Sequence, residues 1–376
     1  MIPLDHHAIL PIPNHDEDSR QSFVNDFRLH LANQVARGNS KAYQSRVLPK
    51  FIKKKGREPA DQHEIRQVMT KDPYYQMWSA MQRSSQEMVW DSVADTVERQ
   101  LPELIEKARQ PSNKGSLTLD PNLEIPKYHT AFDIHLQPGA YHKESTDNDV
   151  AAGAIYDWGS YIYSMGGQGT GNDGLGKIAH KFFKGEFPDK KLHKVLDMGC
   201  TIGGSVVYWA QQMPDTEFFA IDVGAPVLRY GYARAVALGT AVHFSQQNAE
   251  HTNFKDDSFD MVMSHILLHE TSHQAIQNVF NESYRLLKPG GIMMHLDLPQ
   301  FQDAEPLERF LSAWEIYNNN ENFYGQLREM DLIEVCQKAG FKNDNIHPKS
   351  TGSIWEDDQT PYADDDFRFP VTIGIK

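Results

Sequence analysis

Downstream of Lys194, short apolar runs alternate with stretches of helical periodicity. KVLDMGC reads as a strand breaking into a glycine turn, and SVVYWAQQM as the helix after it. EFFAIDV is a second strand, followed by a helix from Pro226 to Leu238, and AVHFSQQ is a third. SFDMVMSHIL is a fourth, with a helix from about Ser272 to Leu287 behind it, and GGIMMHLDL is a fifth. Helical segments around Leu307–Ile316 and Arg328–Ala339 precede PVTIGIK, a closing strand. Buried apolar strands alternating with helices predict an α/β fold, a doubly wound and mostly parallel sheet. The last strand is expected to enter that sheet as an antiparallel member.

The first part of the chain follows a different period. Residues 1–20, rich in Pro, His and Asp, read as an extended arm, and Ser22 to about Ala108 as helical. The clearest helix starts after Asp72-Pro73, where Asp72 can cap it and Pro73 fits its first turn. Trp78, Met81, Ser85, Met88, Val89, Val93 and Val97 then recur at three- and four-residue spacing. This predicts one apolar face buried against other helices, a subunit interface being a special case. A second helical stretch follows Pro102, from Glu103 to Arg109. Gln110 to Pro126 reads as a polar linker, and Lys127 to His142 is rich in His and aromatics. Ile155 to Gly176 holds seven glycines, with four Tyr or Trp between Tyr156 and Tyr163, and reads as a lid. The acidic run Glu356–Asp366 is expected to be a solvated loop. The chain accordingly divides into an N-terminal helical region (1–125), a Tyr/Gly-rich lid and connector (126–185) and an α/β domain (186–376).

Composition narrows the functional classes. Of 376 residues, 40% are hydrophobic and 23% charged, which excludes a largely disordered chain. A net charge of −14 repels phosphate backbones, so no nucleic-acid partner is expected. Cys200 and Cys336 are the only cysteines and fit a reducing compartment. With neither a secretory pattern at Met1–Asp18 nor a run of membrane-spanning length, a cytoplasmic protein without membrane contact is expected.

Chemistry concentrates at the strand ends. The turn after the first strand is Asp197-Met198-Gly199-Cys200-Thr201-Ile202-Gly203-Gly204. A glycine turn here lets backbone approach a ligand closely and aims the next helix N-terminus at it. Asp222 ends the second strand, where a carboxylate can accept both hydroxyls of a ribose. Asn248-Ala249-Glu250 closes the third, where an amide could meet an adenine edge. Ligands bind outside the carboxyl ends of such strands, so the three positions converge.

In these features the chain resembles the class I S-adenosylmethionine-dependent methyltransferases. VLDMGCTIGG is similar to their first motif, Asp222 to their acidic second-strand end and QNAEHTNF to their adenine-side loop. SFDMVMSHILLHE followed by YRLLKPGG is similar to the fourth-strand motif and the turn before strand five. The resemblance covers Lys194 to Pro299 and, more loosely, Phe341 to Lys376. It implies a Rossmann-like sheet of seven strands, S-adenosyl-L-methionine as cofactor and transfer of a methyl group to a small-molecule acceptor. It also implies that Asp197 holds the amino or ribose end of the cofactor and that Gly199, Cys200, Thr201 and Gly203 pack along its methionine portion. Asp222 with Val223 takes the ribose, Asn248, Ala249 and Glu250 line the adenine, and Ser264 and Tyr163 complete the set. The middle glycine of the motif is here Thr201, a departure that also breaks the Gly-x-Gly-x-x-Gly of a nicotinamide-dependent oxidoreductase. That oxidoreductase and a non-catalytic cofactor-binding protein are the rival classes.

His269-Glu270-Thr271-Ser272-His273 spells a zinc-protease pattern, which works only inside a helix. Thr271 with Gln274 reads as a capping box, so the helix starts within the motif and its two histidines do not share a face. No metal is expected. ILLHETSHQ instead resembles the segment after strand four of small-molecule O-methyltransferases, which puts His269 in the role of general base beside Glu270, with His265 as the weaker candidate. A base favours an oxygen acceptor, with carbon, nitrogen and sulfur left open. The N-terminal helices are the surface through which a homodimer is expected.

Overall fold

In a computed structural model, which describes residues 2–351 and 368–376, eight strands form one sheet. They are β1 (Ser116–Thr118), β2 (Lys194–Met198), β3 (Glu217–Asp222), β4 (His243–Gln246), β5 (Phe259–His265), β6 (Leu287–Leu296), β7 (Ile346–Ser350) and β8 (Pro370–Ile375). Their order is β1-β4-β3-β2-β5-β6-β8-β7. Pairing is parallel from β1 through β6, and β8 runs antiparallel to both β6 and β7, as its position at the chain end predicts. Seven of the strands are the implied set. The eighth, β1, lies in the segment read as a linker, whose three residues pair with His243–Ser245 of β4 at the sheet edge. An edge strand of three half-exposed residues carries no apolar run by which a sequence could announce it.

Alternate residues of the central strands face different cores. Val195, Met261 and Met294 pack on one face, and Leu196, Val262 and Met293 on the other. The helices that matter below are α1 (His15–His30), α2 (Pro73–Ala108), α3 (Ala151–Tyr163), α4 (Gly174–Glu186), α5 (Gly204–Gln212), α6 (Ala225–Ala237) and α7 (His273–Leu286). No helix among the described residues is long and apolar enough to cross a membrane.

Asp72 caps α2 by accepting the Tyr74 N–H, and Trp78, Ser85, Val89, Val93 and Val97 are buried along it, as the periodicity predicts. Pro102 does not divide this helix; the buried Leu104 beyond it keeps the last turns packed despite the missing donor. The N-terminal arm ends earlier than expected, at Asn14, whose side chain and Glu17 form a capping box for α1.

The expected lid is half helix. Residues 151–163 form α3, packed against α2, α1 and α6, with turns only from about Ser164 to Asp173. Two of its glycines serve contact instead of mobility. A Cβ on Gly159 would lie 2.6 Å from the Trp90 ring, and one on Gly153 would lie 2.4 Å from Cβ of Tyr230. The acidic run Glu356–Asp366 lies outside the described residues.

Candidate active site

The chain leaves the sheet in opposite directions at β2 and β5, and their carboxyl ends open into one cavity. At its floor the β2 turn is held by backbone. Thr201 adopts a left-handed φ of 45°, rare for a β-branched residue, and its N–H donates to Asp222 Oδ2 at 3.0 Å. The Gly224 N–H donates to Asp222 Oδ1 at 2.9 Å. Burial pushes the Asp222 carboxyl up to about 6, against the pull of these two donors. Gly199 has φ of 71°, and a Cβ there would meet Leu267 at 2.6 Å, so glycine alone lets the turn pass.

Asp197, Gly199, Cys200, Thr201, Asp222, Val223, Asn248 and Ala249 line the cavity, as does Tyr163 from α3. Three expected residues do not. Gly203 faces the Phe244 ring, where a Cβ would sit at 2.9 Å, and shapes the turn from behind. Glu250 turns away to accept from Tyr128 Oη and Asn278 Nδ2. The Ser264 hydroxyl bonds His295 Nδ1 at 2.7 Å in the core behind β5, because alternation along the strand aims it away from its neighbour His265. His265 lines the cavity with Nδ1 3.3 Å from Asp197 Oδ1, leaving its buried Nε2 without a partner.

Above this floor sits a second cluster. His269 lies in a single turn, Leu268–Glu270, directly after β5. Its Nδ1 is 2.8 Å from Asp297 Oδ1, and Asp297 Oδ2 accepts the Leu268 N–H at 2.7 Å. Burial opposes the imidazolium, but Asp297 overcomes it and raises the His269 pKa above its ordinary value. His269 Nε2, buried and lining the cavity, has no partner. Glu270 Oε1 sits 3.0 Å from His135 Nε2 and accepts from Tyr141 Oη at 3.1 Å. His135 Nδ1 lies 2.9 Å from Glu321 Oε1, which also accepts from Asn319 Nδ2. Burial disfavours a charged His135, yet Glu321 and Glu270 outweigh it and lift the pKa to about 10. The ring is locked from its backbone, at a left-handed φ of 55°, by Trp90 Nε1 and Gln86 Nε2 donating to its carbonyl. Tyr156, also on the wall, is buried enough that its phenol rises to about 12.

The helix after this turn is α7, capped by Ser272, one residue later than the capping box predicts. The Thr271 hydroxyl bonds the Leu268 carbonyl instead. The consequence for His269 and His273 stands: the first is in the buried turn and the second is exposed on the helix. Sequence reasoning missed Asp297, although it follows the fifth strand of the alternating run as Asp222 ends the second, and the same strand-end rule applies. It placed His135 only in an aromatic stretch and gave Glu321 no role, because their meeting with Glu270 is tertiary.

The floor fits S-adenosylmethionine. Asp222 offers a carboxylate where a ribose diol would lie, the glycine turn lets backbone approach, and Asp197 with the orphaned His265 Nε2 supplies polar partners for an amino-acid end. Four carboxylates and four tyrosines around the cavity favour a sulfonium cation. A carboxylate accepts from both hydroxyls of a ribose only when ionised. Affinity for S-adenosylhomocysteine is therefore expected to be level above about pH 7 and to fall as pH drops through about 6. Asp222→Asn should bind roughly tenfold more weakly, about one charge-assisted hydrogen bond, and lose that step in a calorimetric pH series.

A methyltransferase-domain family matches residues 195–291. An uncharacterised methyltransferase of Synechocystis sp. is 30% identical over 164 residues, 43% of this chain and 72% of that protein. Phosphoethanolamine N-methyltransferase 1 of Arabidopsis thaliana is 32% identical over 165 residues, 42% of this chain. The match spans 33% of the plant enzyme's own length. Malonyl-[acyl-carrier protein] O-methyltransferase of Enterobacter lignolyticus is 30% identical over 127 residues, 34% of this chain and 46% of that protein.

Proposed function

The chain belongs to the class I S-adenosylmethionine-dependent methyltransferases, and from that premise we propose that it methylates an oxygen of a small-molecule acceptor. The relatives' names support a small acceptor, nitrogen in one and oxygen in another. The observation that carries the choice of oxygen is the His269 side chain. With Nδ1 turned to Asp297, it presents a bare, buried Nε2 to the cavity. A hydrogen bond from Nδ1–H to a carboxylate leaves the lone pair on Nε2, the arrangement of a general base.

When bound, S-adenosylmethionine supplies a methyl group activated on a sulfonium. The residues do the rest. Asp222 and the β2 turn fix the donor end over the sheet, while Tyr141, Tyr156 and Tyr163 wall the acceptor side and exclude water. The acceptor hydroxyl passes its proton to His269 Nε2, and Asp297 stabilises the imidazolium that results. Alignment of the two reactants supplies much of the rate, since effective molarities reach about 10⁵–10⁸ M. Base assistance adds about 10²–10⁴-fold for a phenol with pKa near 10, and an amine does not need it.

The test is a mass-spectrometric screen of the purified protein with S-adenosylmethionine and matched phenols, hydroxy acids, amines and thiols. Methylated products confined to the hydroxyl compounds are expected. Products confined to the amines or thiols would overturn the oxygen reading.

A further inference from the structure

His269, Glu270 and His135 do more than flank the acceptor. One ring nitrogen each of His135 and His269 and a carboxylate oxygen of Glu270 lie within 4.8 Å of one another. The closest two, His135 Nε2 and Glu270 Oε1, are 3.0 Å apart. That is the spacing of two atoms each about 2.1 Å from a common ion and at right angles around it.

Each of the three also has the support that metal ligands require. His269 turns its other nitrogen to Asp297 at 2.8 Å, and His135 turns its other nitrogen to Glu321 at 2.9 Å. Glu270 accepts from Tyr141 Oη at 3.1 Å. Carboxylates behind ligating imidazoles fix their tautomer and raise their basicity, which is how outer partners tune such sites. A second observation points to a ligand independently. His269 is 1% exposed, yet its Nε2 has no partner and faces the cavity. A buried polar atom without a partner is costly unless something fills the place it faces.

We propose that His135, His269 and Glu270 hold a divalent transition-metal ion, with its remaining positions open to the cavity. Two imidazoles and one carboxylate suit zinc or ferrous iron and not magnesium or calcium, which prefer all-oxygen sets. An acceptor would then reach the site as a ligand, through a hydroxyl or carboxylate oxygen, and so be oriented toward the donor. The inference deepens the oxygen-acceptor reading and rests on it. In the metal-bound protein His269 Nε2 is a ligand and takes no proton; the ion lowers the pKa of the acceptor hydroxyl, whose proton is lost to water in the cavity before its oxygen bonds the methyl group and S-adenosylhomocysteine leaves. The zinc-protease spelling is incidental, since His273 lies outside the cluster.

The experiment is titration of chelator-treated, full-length protein with Zn²⁺ by calorimetry and with Co²⁺ by visible absorption. S-Adenosylhomocysteine affinity is measured in the same samples as the readout of fold and donor site. One ion per chain is expected in the wild type and in His273→Ala. His135→Ala and Glu270→Gln should abolish uptake with S-adenosylhomocysteine affinity retained, and Asp297→Asn should weaken uptake about 10–100-fold. No uptake by wild-type protein that still binds S-adenosylhomocysteine would overturn the metal site and leave the methyltransferase reading intact. Uptake undiminished in both His135→Ala and Glu270→Gln would overturn it equally. Metal uptake without S-adenosylhomocysteine binding would support the metal site and count against the functional reading.

Discussion

Replacing His269 by alanine lowers turnover by about 10²–10⁴-fold and leaves the affinity for S-adenosylhomocysteine within about twofold. The size follows from the role proposed for the side chain at the acceptor, the removal of one proton, on which neither the donor floor nor the sheet depends. Asp297 keeps two backbone donors in the variant, from Leu268 and Leu298, so its carboxylate is not stranded. The contrast with His265 is sharp, because that ring meets Asp197 on the donor floor. His265→Ala should therefore raise the dissociation constant for the donor. Asp297→Asn is the informative companion: it keeps the shape of the side chain but turns one of its two accepting oxygens into a donor. With the remaining oxygen on the Leu268 N–H, the amide faces His269 Nδ1 and favours the wrong imidazole tautomer, and the change should lower turnover by more than tenfold. Steady-state kinetics with a hydroxyl acceptor, alongside calorimetry, separate the two effects. A His269→Ala enzyme with near wild-type turnover would remove this residue from the chemistry altogether.

The second large effect is on stability. Arg234→Ala should cost about 3–5 kcal/mol, because it leaves the buried Asp157 carboxylate without its cation. Asp157 Oδ2 meets Arg234 Nε at 3.2 Å, Tyr230 Oη at 2.9 Å and His7 Nε2 at 3.0 Å, while Oδ1 accepts from Asn172 Nδ2 at 2.9 Å. Burial alone would raise that carboxyl; Arg234 and His7 hold it well below the usual carboxylate range. The network joins the N-terminal arm, α3, α6 and the glycine-rich turns in one place. Asn172 also lines the cavity, so cofactor affinity should fall with stability. An exposed pair such as Arg20–Asp95 is the control, and its loss should cost less than about 1 kcal/mol. The double variant Asp157→Leu/Arg234→Met should be less destabilised than Arg234→Ala, since it removes both charges and keeps volume. Urea unfolding of the four proteins decides the matter. A cost for Arg234→Ala no greater than that of the surface pair would show that the network does not hold these elements together.

What was legible in the sequence divides along physical lines. β2, β3, β5 and β6 in the parallel part of the sheet, and β8 antiparallel beside β6, are mostly buried on both faces, so each appears as an apolar run, and the donor floor follows because ligands gather at strand ends. β1 escaped because three half-exposed edge residues have no such pattern. The second half of α3 reads as part of a lid because Gly159 opens a glycine-dense segment, whereas Gly159, like Gly153 before it, permits close packing, against Trp90 and Tyr230 respectively. Ser264 was misplaced by one step of strand alternation. The acceptor cluster was the least legible part. His135, Glu270, Asp297 and Glu321 come from four separate segments, and only His269 and Glu270 carry a local motif. Their convergence is set by how the N-terminal half docks on the sheet, and no spacing along the chain encodes that.

The central claim is that the strand-end cavity holds a methyl donor by its ribose at Asp222, with the acceptor chemistry above it at His269. Calorimetric titration of S-adenosylhomocysteine, with NAD alongside, into wild type, Asp222→Ala and His269→Ala tests it most directly. The account predicts one site per chain for S-adenosylhomocysteine and none for NAD. It further predicts at least tenfold weaker binding in Asp222→Ala, about one lost pair of hydrogen bonds, and no change in His269→Ala. Binding of NAD in place of S-adenosylhomocysteine, or equal S-adenosylhomocysteine affinity in all three proteins, would contradict it.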